Sequence, residues 1–415
     1  MQRGLLGRSW PRQCMLALAI ATLADAAVAG GLYVNEFSTT AQATAGAGRG
    51  AWAADASATL HNPATMTQLD DHAFSTGFSL ASARVRFDRS QGTPSGGGNG
   101  QDQAGIAPIA SLNYVHRVSD RIRAGFTFFS LSGSVLDPSN RWAGRFEVTD
   151  LSLLTISISP TVAVRVTDWL SIGGGPIATY GVLDWDLRVD FPVASESAVR
   201  LDDLDDWEPA GRVGLLLHPR DDLALSVYYN SKTDFELSGQ VQIPAGLSAN
   251  FDISLPLAQF VELGAWWQAT ERLALLATFN WEDWSEGDDL SVTLGTRNVS
   301  PSTGFRDTYK VSVGATYELS EGWLLQSGVG YDTSALRNRD RTTALPIDRQ
   351  IRVAFGLQRQ LSPSSSLALS FLYANLGQAE VRTPNVRGDY DDNELFLVGL
   401  ALNFKELWWS GRLTR

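Results

Sequence analysis

From about residue 72 to residue 404 the chain alternates apolar and polar residues in segments interrupted by turn residues. Within residues 151–167, Leu154, Ile156, Ile158, Val162, Val164 and Val166 fall on one face, and Thr155, Ser157, Ser159, Thr161, Ala163 and Arg165 on the other. Residues 307–319 repeat the pattern, with Tyr309, Val311, Val313, Ala315, Tyr317 and Leu319 opposed to Thr308, Lys310, Ser312, Gly314, Thr316 and Glu318. A period of two marks strands, and two unlike faces mark two unlike environments. The breaks come in two alternating lengths. Short ones lie at 118–120, 167–168, 219–222, 270–271, 320–322 and 362–364, and long polar ones at about 88–104, 136–149, 189–206, 239–251, 286–306, 337–347 and 380–392. Short turns at one end and long loops at the other describe an up-and-down membrane barrel. The segments predict an all-β fold of about fourteen antiparallel strands closed into a transmembrane β-barrel, with apolar residues toward lipid and polar residues toward a lumen.

Aromatic placement fits two interfacial belts. Trp169, Trp266, Trp267 and Trp323 lie beside short turns, and Trp142, Trp185, Trp207, Trp281 and Trp284 lie toward long loops. The stretch from Ser90 to Gly105 is rich in Gly, Ser, Asn and Gln and lacks an apolar anchor, so a mobile loop is expected there. The third strand, about 121–135, contains Ser132-Gly133-Ser134. Glycine inside a strand often marks a bulge or bend, which makes Gly133 the candidate for a kink.

The first residues change the picture of compartment. Arg3, Arg8 and Arg12 precede a short apolar run, Met15 to Leu23, and Ala27-Val28-Ala29 offers small residues for cleavage. Residues 1–29 therefore read as a signal peptide, and the run is too short to span a bilayer as a helix. Cleavage would remove three Arg and one Asp, taking the formal charge from −12 to −14, and the sole cysteine, Cys14. A secreted chain without disulfides needs another source of order, which a hydrogen-bonded barrel supplies. The acidic balance excludes nucleic acid as a partner. The clusters Asp202-Asp203-Asp205-Asp206, Asp288-Asp289 and Asp389-Asp391-Asp392 fall in expected extracellular loops, and their spacing matches no defined Ca²⁺ loop. No metal or cofactor is expected.

Between the signal peptide and the first strand, residues 30–71 are rich in small residues and suit neither a strand nor a hydrophobic helix. They open on Asn35-Glu36-Phe37, pass through Ala53-Ala54-Asp55-Ala56 and close on His61-Asn62-Pro63-Ala64. In wording, order and position this segment resembles the N-terminal plug of the FadL family, outer-membrane transporters of long-chain fatty acids and other hydrophobic compounds. The resemblance implies a short helical plug inside a barrel of fourteen strands. The expected organisation is signal peptide 1–29, plug 30–71, barrel 72–404 and C-terminal extension 405–415. The last strand places Phe396, Val398, Leu400, Leu402 and Phe404 on one face, resembling the signal read by the barrel-assembly machinery. The chain departs from that pattern by continuing to Arg415 with Trp408-Trp409.

The resemblance further implies capture of a fatty acid or other hydrophobic small molecule in an internal pocket, and lateral release into the membrane through an opening at a kink in the third strand. Asn35, Phe37, Asp55, Asn62, Pro63 and Ala64 are then the plug and gating candidates, with Gly133 at the lateral opening. Pro63 and the Asn62 side chain give a rigid turn at the least. Asp55 either pairs with a lumenal Arg or faces water. A carboxylate in an apolar pocket needs a cation. By alternation Arg165, Arg212, Lys232, Lys310 and Arg352 face inward, and Lys310, Arg352 and Arg212 are the head-group candidates; an uncharged substrate needs none. A monomer among outer-membrane lipids and lipopolysaccharide is expected. Two other readings compete. A general diffusion porin differs in whether residues 30–70 fill the lumen. A barrel enzyme of the lipase type lacks support, since no Gly-x-Ser-x-Gly elbow accompanies His61, His72, His116 and His218.

Overall fold

The computed structural model describes residues 36–130, 133–191, 195–243, 247–285, 291–294, 297–299 and 304–405. The expected signal peptide, Asn35, Asp288-Asp289 and residues 406–415 lie outside them. Fourteen strands make the wall: β1 (Ala73–Arg89), β2 (Ile106–Arg117), β3 (Ile122–Phe129, resuming as Gly133–Leu136), β4 (Asp150–Arg165), β5 (Leu170–Phe191), β6 (Ser195–Arg220) and β7 (Leu223–Asn230) form one half. β8 (Gln259–Gln268), β9 (Leu273–Asp283), β10 (Thr308–Ser320), β11 (Trp323–Asp332), β12 (Gln350–Ser362), β13 (Ser365–Asn375) and β14 (Arg387–Lys405) form the other. Each pairs antiparallel with its neighbours, and β14 closes on β1 from Ala73↔Lys405 to Arg89↔Gly388. Closure leaves no sheet edge in lipid, which a spanning sheet requires. All six short breaks are tight turns between strands.

Strand β5 shows why the faces are as they are. Near the membrane the inward positions Ser171, Gly173 and Thr179 are small or polar, with Ile177 the apolar exception, while Ile172 faces out. Further along, with the same alternation, the inward positions become Leu183, Trp185, Leu187 and Val189, all buried, and the outward ones become Asp184, Asp186 and Asp190. The lipid-facing wall thus gives way to a water-facing wall with an apolar interior.

This inversion corrects three expectations. Trp142, Trp185 and Trp284 are not in an extracellular belt; they are at most 2% exposed and pack inside the outer part of the barrel. Residues 189–191 and 195–206 are not loop but the continuation of the β5–β6 ladder, from Val189↔Ser197 to Leu183↔Leu204. Residues 239–243 and 247–251 likewise belong to two paired strands, Thr233–Ile243 with Leu247–Leu257, the first of which pairs onto β6. Their inward Leu, Val, Phe and Ile were hidden by the acidic residues alternating with them. The stretch 90–105 is also anchored: Thr93 Oγ1 donates to Arg387 O (2.9 Å), Ser95 Oγ donates to Ala143 O (2.7 Å), and Ala104 packs against the apolar cluster of the outer barrel.

One seam of the wall is open. β2 pairs with β3 from Arg117↔Arg123 up to Leu112↔Phe128, and the two chains meet again only at Ala104↔Leu136. Between those points the seven residues 105–111 have no ladder partner on β3 among the described residues. On its other side β3 pairs with β4 at Phe129↔Ser157 and then at Gly133↔Leu154, so β3 carries one extra residue there.

Candidate functional site

The plug folds as two short helices, α1 (Thr39–Ala43) and α2 (Ala58–His61), followed by a 3₁₀ turn at Pro63–Gln68. Ser38 caps α1 by accepting from Ala41 N, and its hydroxyl lies 3.0 Å from His61 Nε2, tying α1 to α2. Proline suits the start of the last turn because its missing N–H would be unused there. Asn62 Oδ1 accepts from Ala64 N (3.0 Å), and its Nδ2 donates to Gly50 O (2.9 Å) in the plug and Leu215 O (3.1 Å) in β6. One side chain therefore caps the turn and stitches plug to wall. Gly214, beside Leu215, is required by this approach, since a Cβ there would collide with the Asn62 amide. Across the lumen Gly328 of β11 lies against the Thr44 carbonyl with equal closeness.

Charge fixes the plug at two more places. Glu36 is buried and pairs with Lys310 of β10 and with Arg352 of β12 (3.4 Å), and Arg352 also contacts Asp332 at 2.8 Å. Burial alone would raise the Glu36 carboxyl, but Arg352, Lys310 and Arg49 outweigh it and hold it at about 2. Arg49 Nε donates to Glu262 Oε2 of β8 at 2.6 Å, with both side chains buried. His61 is kept neutral, first by burial and then by the charge of Arg49, well below its ordinary value.

Arg212 of β6 is 4% exposed and differs from the other two head-group candidates. Its Nη1 donates to Leu60 O (3.0 Å), the Tyr228 hydroxyl interacts with its guanidinium, and no carboxylate pairs with it among the described residues. The guanidinium lies 5.8 Å from the Phe129 ring centre, and Phe129 lies 5.9 Å from Phe37 of the plug. Phe37, Leu60, His61, Phe129, Tyr228 and Phe260 line a void of about 20 Å³, room for about one water. Phe37, Leu60 and Phe129 also belong to one apolar cluster that continues through Trp142, Trp185, Trp284 and Tyr390 in the outer barrel.

The structure brings Phe37, Asn62, Pro63 and Ala64 into the plug's contact with the wall, and places Lys310, Arg352 and Arg212 on the lumen face. Gly133 is where β3 resumes pairing with β4. Asp55 does neither thing expected of it: it accepts from Thr40 Oγ1 (3.1 Å) and Ser57 N (2.8 Å) inside the plug. Lys232 is not lumenal, because β7 ends at Asn230 and the side chain is half-exposed beside Asp234 (3.2 Å). Sequence reasoning missed Glu36, Arg49 and Glu262. Glu36 stands inside the Asn-Glu-Phe phrase; Arg49 and Glu262 are 213 residues apart and carried no signal.

A plugged, closed barrel with an apolar outer interior agrees with what comparison finds. A family model described as "Outer membrane protein transport protein (OMPP1/FadL/TodX)" matches residues 20–404. The chain belongs to this family. It is 25% identical to outer membrane protein P1 of Haemophilus influenzae over 94% of this chain and 98% of that one. It is 23% identical to a long-chain fatty acid transport protein of Escherichia coli over 86% of this chain and 90% of that one. In fold it is similar to a FadL homologue of Pseudomonas aeruginosa, with a TM-score of 0.83 at 20% identity, covering 91% of this chain and 100% of that one. The toluene transporter TodX of Pseudomonas putida follows with a TM-score of 0.73 at 17% identity, again over 91% and 100%. This FadL-family chain is thus an outer-membrane β-barrel that transports hydrophobic compounds and is not an enzyme.

Proposed function

We propose that the protein takes up hydrophobic carboxylates, long-chain fatty acids foremost, holds their head group at Arg212 and releases them sideways into the membrane between β2 and β3. The open β2–β3 seam is the observation that supports this reading most. Among the described residues it is a longer gap than the break between β4 and β5 at 159–161, it begins beside Phe128 and Phe129, and Phe129 touches both Phe37 and Arg212. The named activity of the Escherichia coli relative supports the same substrate class. Lys310 and Arg352 suit the head-group role less well, because Glu36 and, at Arg352, Asp332 already pair with them. The void at Phe37 is too small for an acyl chain, so entry requires the plug or its aromatic neighbours to move.

The route is tested by a tether. Ala110 and Ser130, each two residues past the last β2–β3 pair at Leu112↔Phe128, lie on the two sides of the open seam, and the only native cysteine, Cys14, falls in the expected signal peptide, so the tether pair is Ala110→Cys with Ser130→Cys. Joining them with a short bis-maleimide should stop oleate uptake in cells that lack other copies, while the singly substituted chains treated alike transport normally. Undiminished uptake through the tethered barrel would sink lateral release. The head-group assignment is tested by Arg212→Met. Loss of a charge-assisted hydrogen bond, about 1.5–3 kcal/mol, should weaken oleate binding roughly tenfold to a hundredfold and leave binding of hexadecane unchanged. Equal effects on both ligands would remove Arg212 from the role.

A further inference from the structure

Three loops of the outer end meet at one carboxylate. Residues 137–149, between β3 and β4, carry Glu147, whose side chain is buried. Its Oε2 accepts from Thr343 N and from Thr343 Oγ1 (2.7 Å each), in the loop between β11 and β12. Its Oε1 accepts from Thr383 Oγ1 (2.5 Å), in the loop between β13 and β14. The surroundings are apolar, for Trp142, Val148, Leu345, Val381 and Tyr390 all belong to the outer cluster. Donors converging on both oxygens are what an ionised carboxyl needs in such a place.

The donors are braced by groups other than Glu147. Tyr390 of β14 donates to Thr343 O (2.9 Å), and the fully buried Arg341 joins the two loops by donating to Glu380 O (3.1 Å) and pairing with Asp348 (3.0 Å). The 137–149 loop hangs from the other side of the mouth: Ala143 N donates to Gly98 O (2.9 Å), Arg145 O accepts from Arg188 N (2.8 Å), and Arg145 pairs with Glu196 (2.9 Å). It carries the Trp142 ring into the barrel, 0% exposed. The Glu147 side chain thus reaches from a separately anchored lid into a receptor built by two other loops.

Such a receptor recognises a carboxylate, whichever molecule brings it. When an external carboxylate replaces Glu147, one anion enters water as another leaves it, so the recess still holds a single desolvated charge. What changes is the chain behind the head group, since an acyl chain buries many methylenes against the outer cluster and Glu147 brings only a short stem. An uncharged hydrocarbon cannot make the exchange, because it would leave the donors of Thr343 and Thr383 unsatisfied in a dry site.

Resting on hydrophobic carboxylates as the substrate class, we propose that the Thr343–Thr383 recess is a carboxylate-binding site at the mouth, which Glu147 fills as an internal stand-in for the substrate head group, so that an arriving fatty acid displaces it and frees the 137–149 lid. Capture and opening are then one exchange. The site is separate from Arg212, which is held beside the plug at Leu60.

Spin labels at Ser139→Cys and Arg339→Cys, exposed positions on the lid and on a receptor loop, read the lid in the purified full chain. Oleate should lengthen the distance between them, and methyl oleate, which carries no charge, should not. Affinity is read by equilibrium binding of radiolabelled oleate in the Arg212→Met background, which removes the deeper head-group site. Glu147→Ala removes the internal competitor, so the labels should stand apart without ligand and oleate should bind roughly tenfold tighter. Thr343→Val with Thr383→Val removes two donors, so the labels should again stand apart, yet oleate should bind roughly tenfold weaker. Opposite signs mark a binding site, whereas a purely structural tie would move affinity the same way in both. An unaltered label distance on adding oleate to the native chain, or affinity shifts of one sign, overturns the proposal; the first of these results needs no change at Glu147 and decides the matter if the variants assemble poorly. Should Arg212→Met leave oleate uptake unchanged while the labels still respond to oleate, the Arg212 assignment fails and the mouth site stands. Oleate that binds neither the native chain nor any variant would remove the substrate class and this site with it.

Discussion

Gly328→Val should turn the protein from a tight barrel into a leaky one. The inward Cβ would run into the Thr44 carbonyl, and a backbone neighbour cannot yield as a long side chain can. The wall should survive, since Gly328 pairs with Gly314 and Ala354 in a regular ladder that a β-branched residue favours. The plug should not, because Thr44 ends α1 and the shift carries Ala43, buried against β12, with it. The measurable outcome is ion conductance in planar bilayers and sensitivity of cells to large hydrophilic antibiotics, both near background for the native chain. The same purified variant should keep the heat-modifiable gel mobility of a folded barrel. A variant that folds and stays tight would mean the plug does not need its seat on β11.

The second large effect is expected at Glu36. Glu36→Gln leaves Lys310 without its anion and Arg352 with Asp332 alone. Breaking a buried pair from one side costs roughly 3–5 kcal/mol, because the remaining charge stays desolvated. Removing both partners, as in Glu36→Gln with Lys310→Met, should cost distinctly less, since no stranded ammonium remains. Protease cleavage within residues 36–71 under mild urea reads the plug's release, and the single variant should be cut faster than the double. Equal rates would show that the pair does not hold the plug. Acid should act in the same sense. The Glu36 carboxyl lies at about 2 in the folded protein against an ordinary 4.5. Its contribution is therefore complete above about pH 4.5 and is lost as pH falls toward 2, so the native plug should hold at pH 5.

The strand order was legible because lipid imposes it. Residues such as Leu154, Ile156 and Ile158 must be apolar, and their neighbours Thr155 and Ser157 need not be. Above the membrane that constraint reverses, and Asp184 or Asp202 on the outer face disguised buried Trp185 and Leu201 as loop. The plug was legible as a phrase but not as a set of contacts. Asn62 and Pro63 mark a turn from any vantage, whereas the pairing of Arg49 with Glu262 exists only once a distant strand is brought opposite. The same reason misplaced Asp55 and Lys232: alternation gives a face, and neither residue lies in a regular strand. The opening between β2 and β3 left only Gly133 as its trace, since residues that pair with β1 alone, such as Ile109, read like any other strand.

The reversal of faces along β5 also bears on partitioning. A hydrophobic solute normally meets the sugar and phosphate layer of the outer leaflet as a barrier of its own thickness, and its rate of entry falls with every ångström of wet path. Here the dry phase is lifted above the bilayer: Trp185, Leu187 and Val189 extend an oil-like interior up through that layer, sheathed by Asp184, Asp186 and Asp190. A solute that reaches the barrel's outer end has in effect already left water. What remains is movement of the plug and its aromatic neighbours, so the slow step passes from crossing the leaflet to the opening of the barrel interior itself.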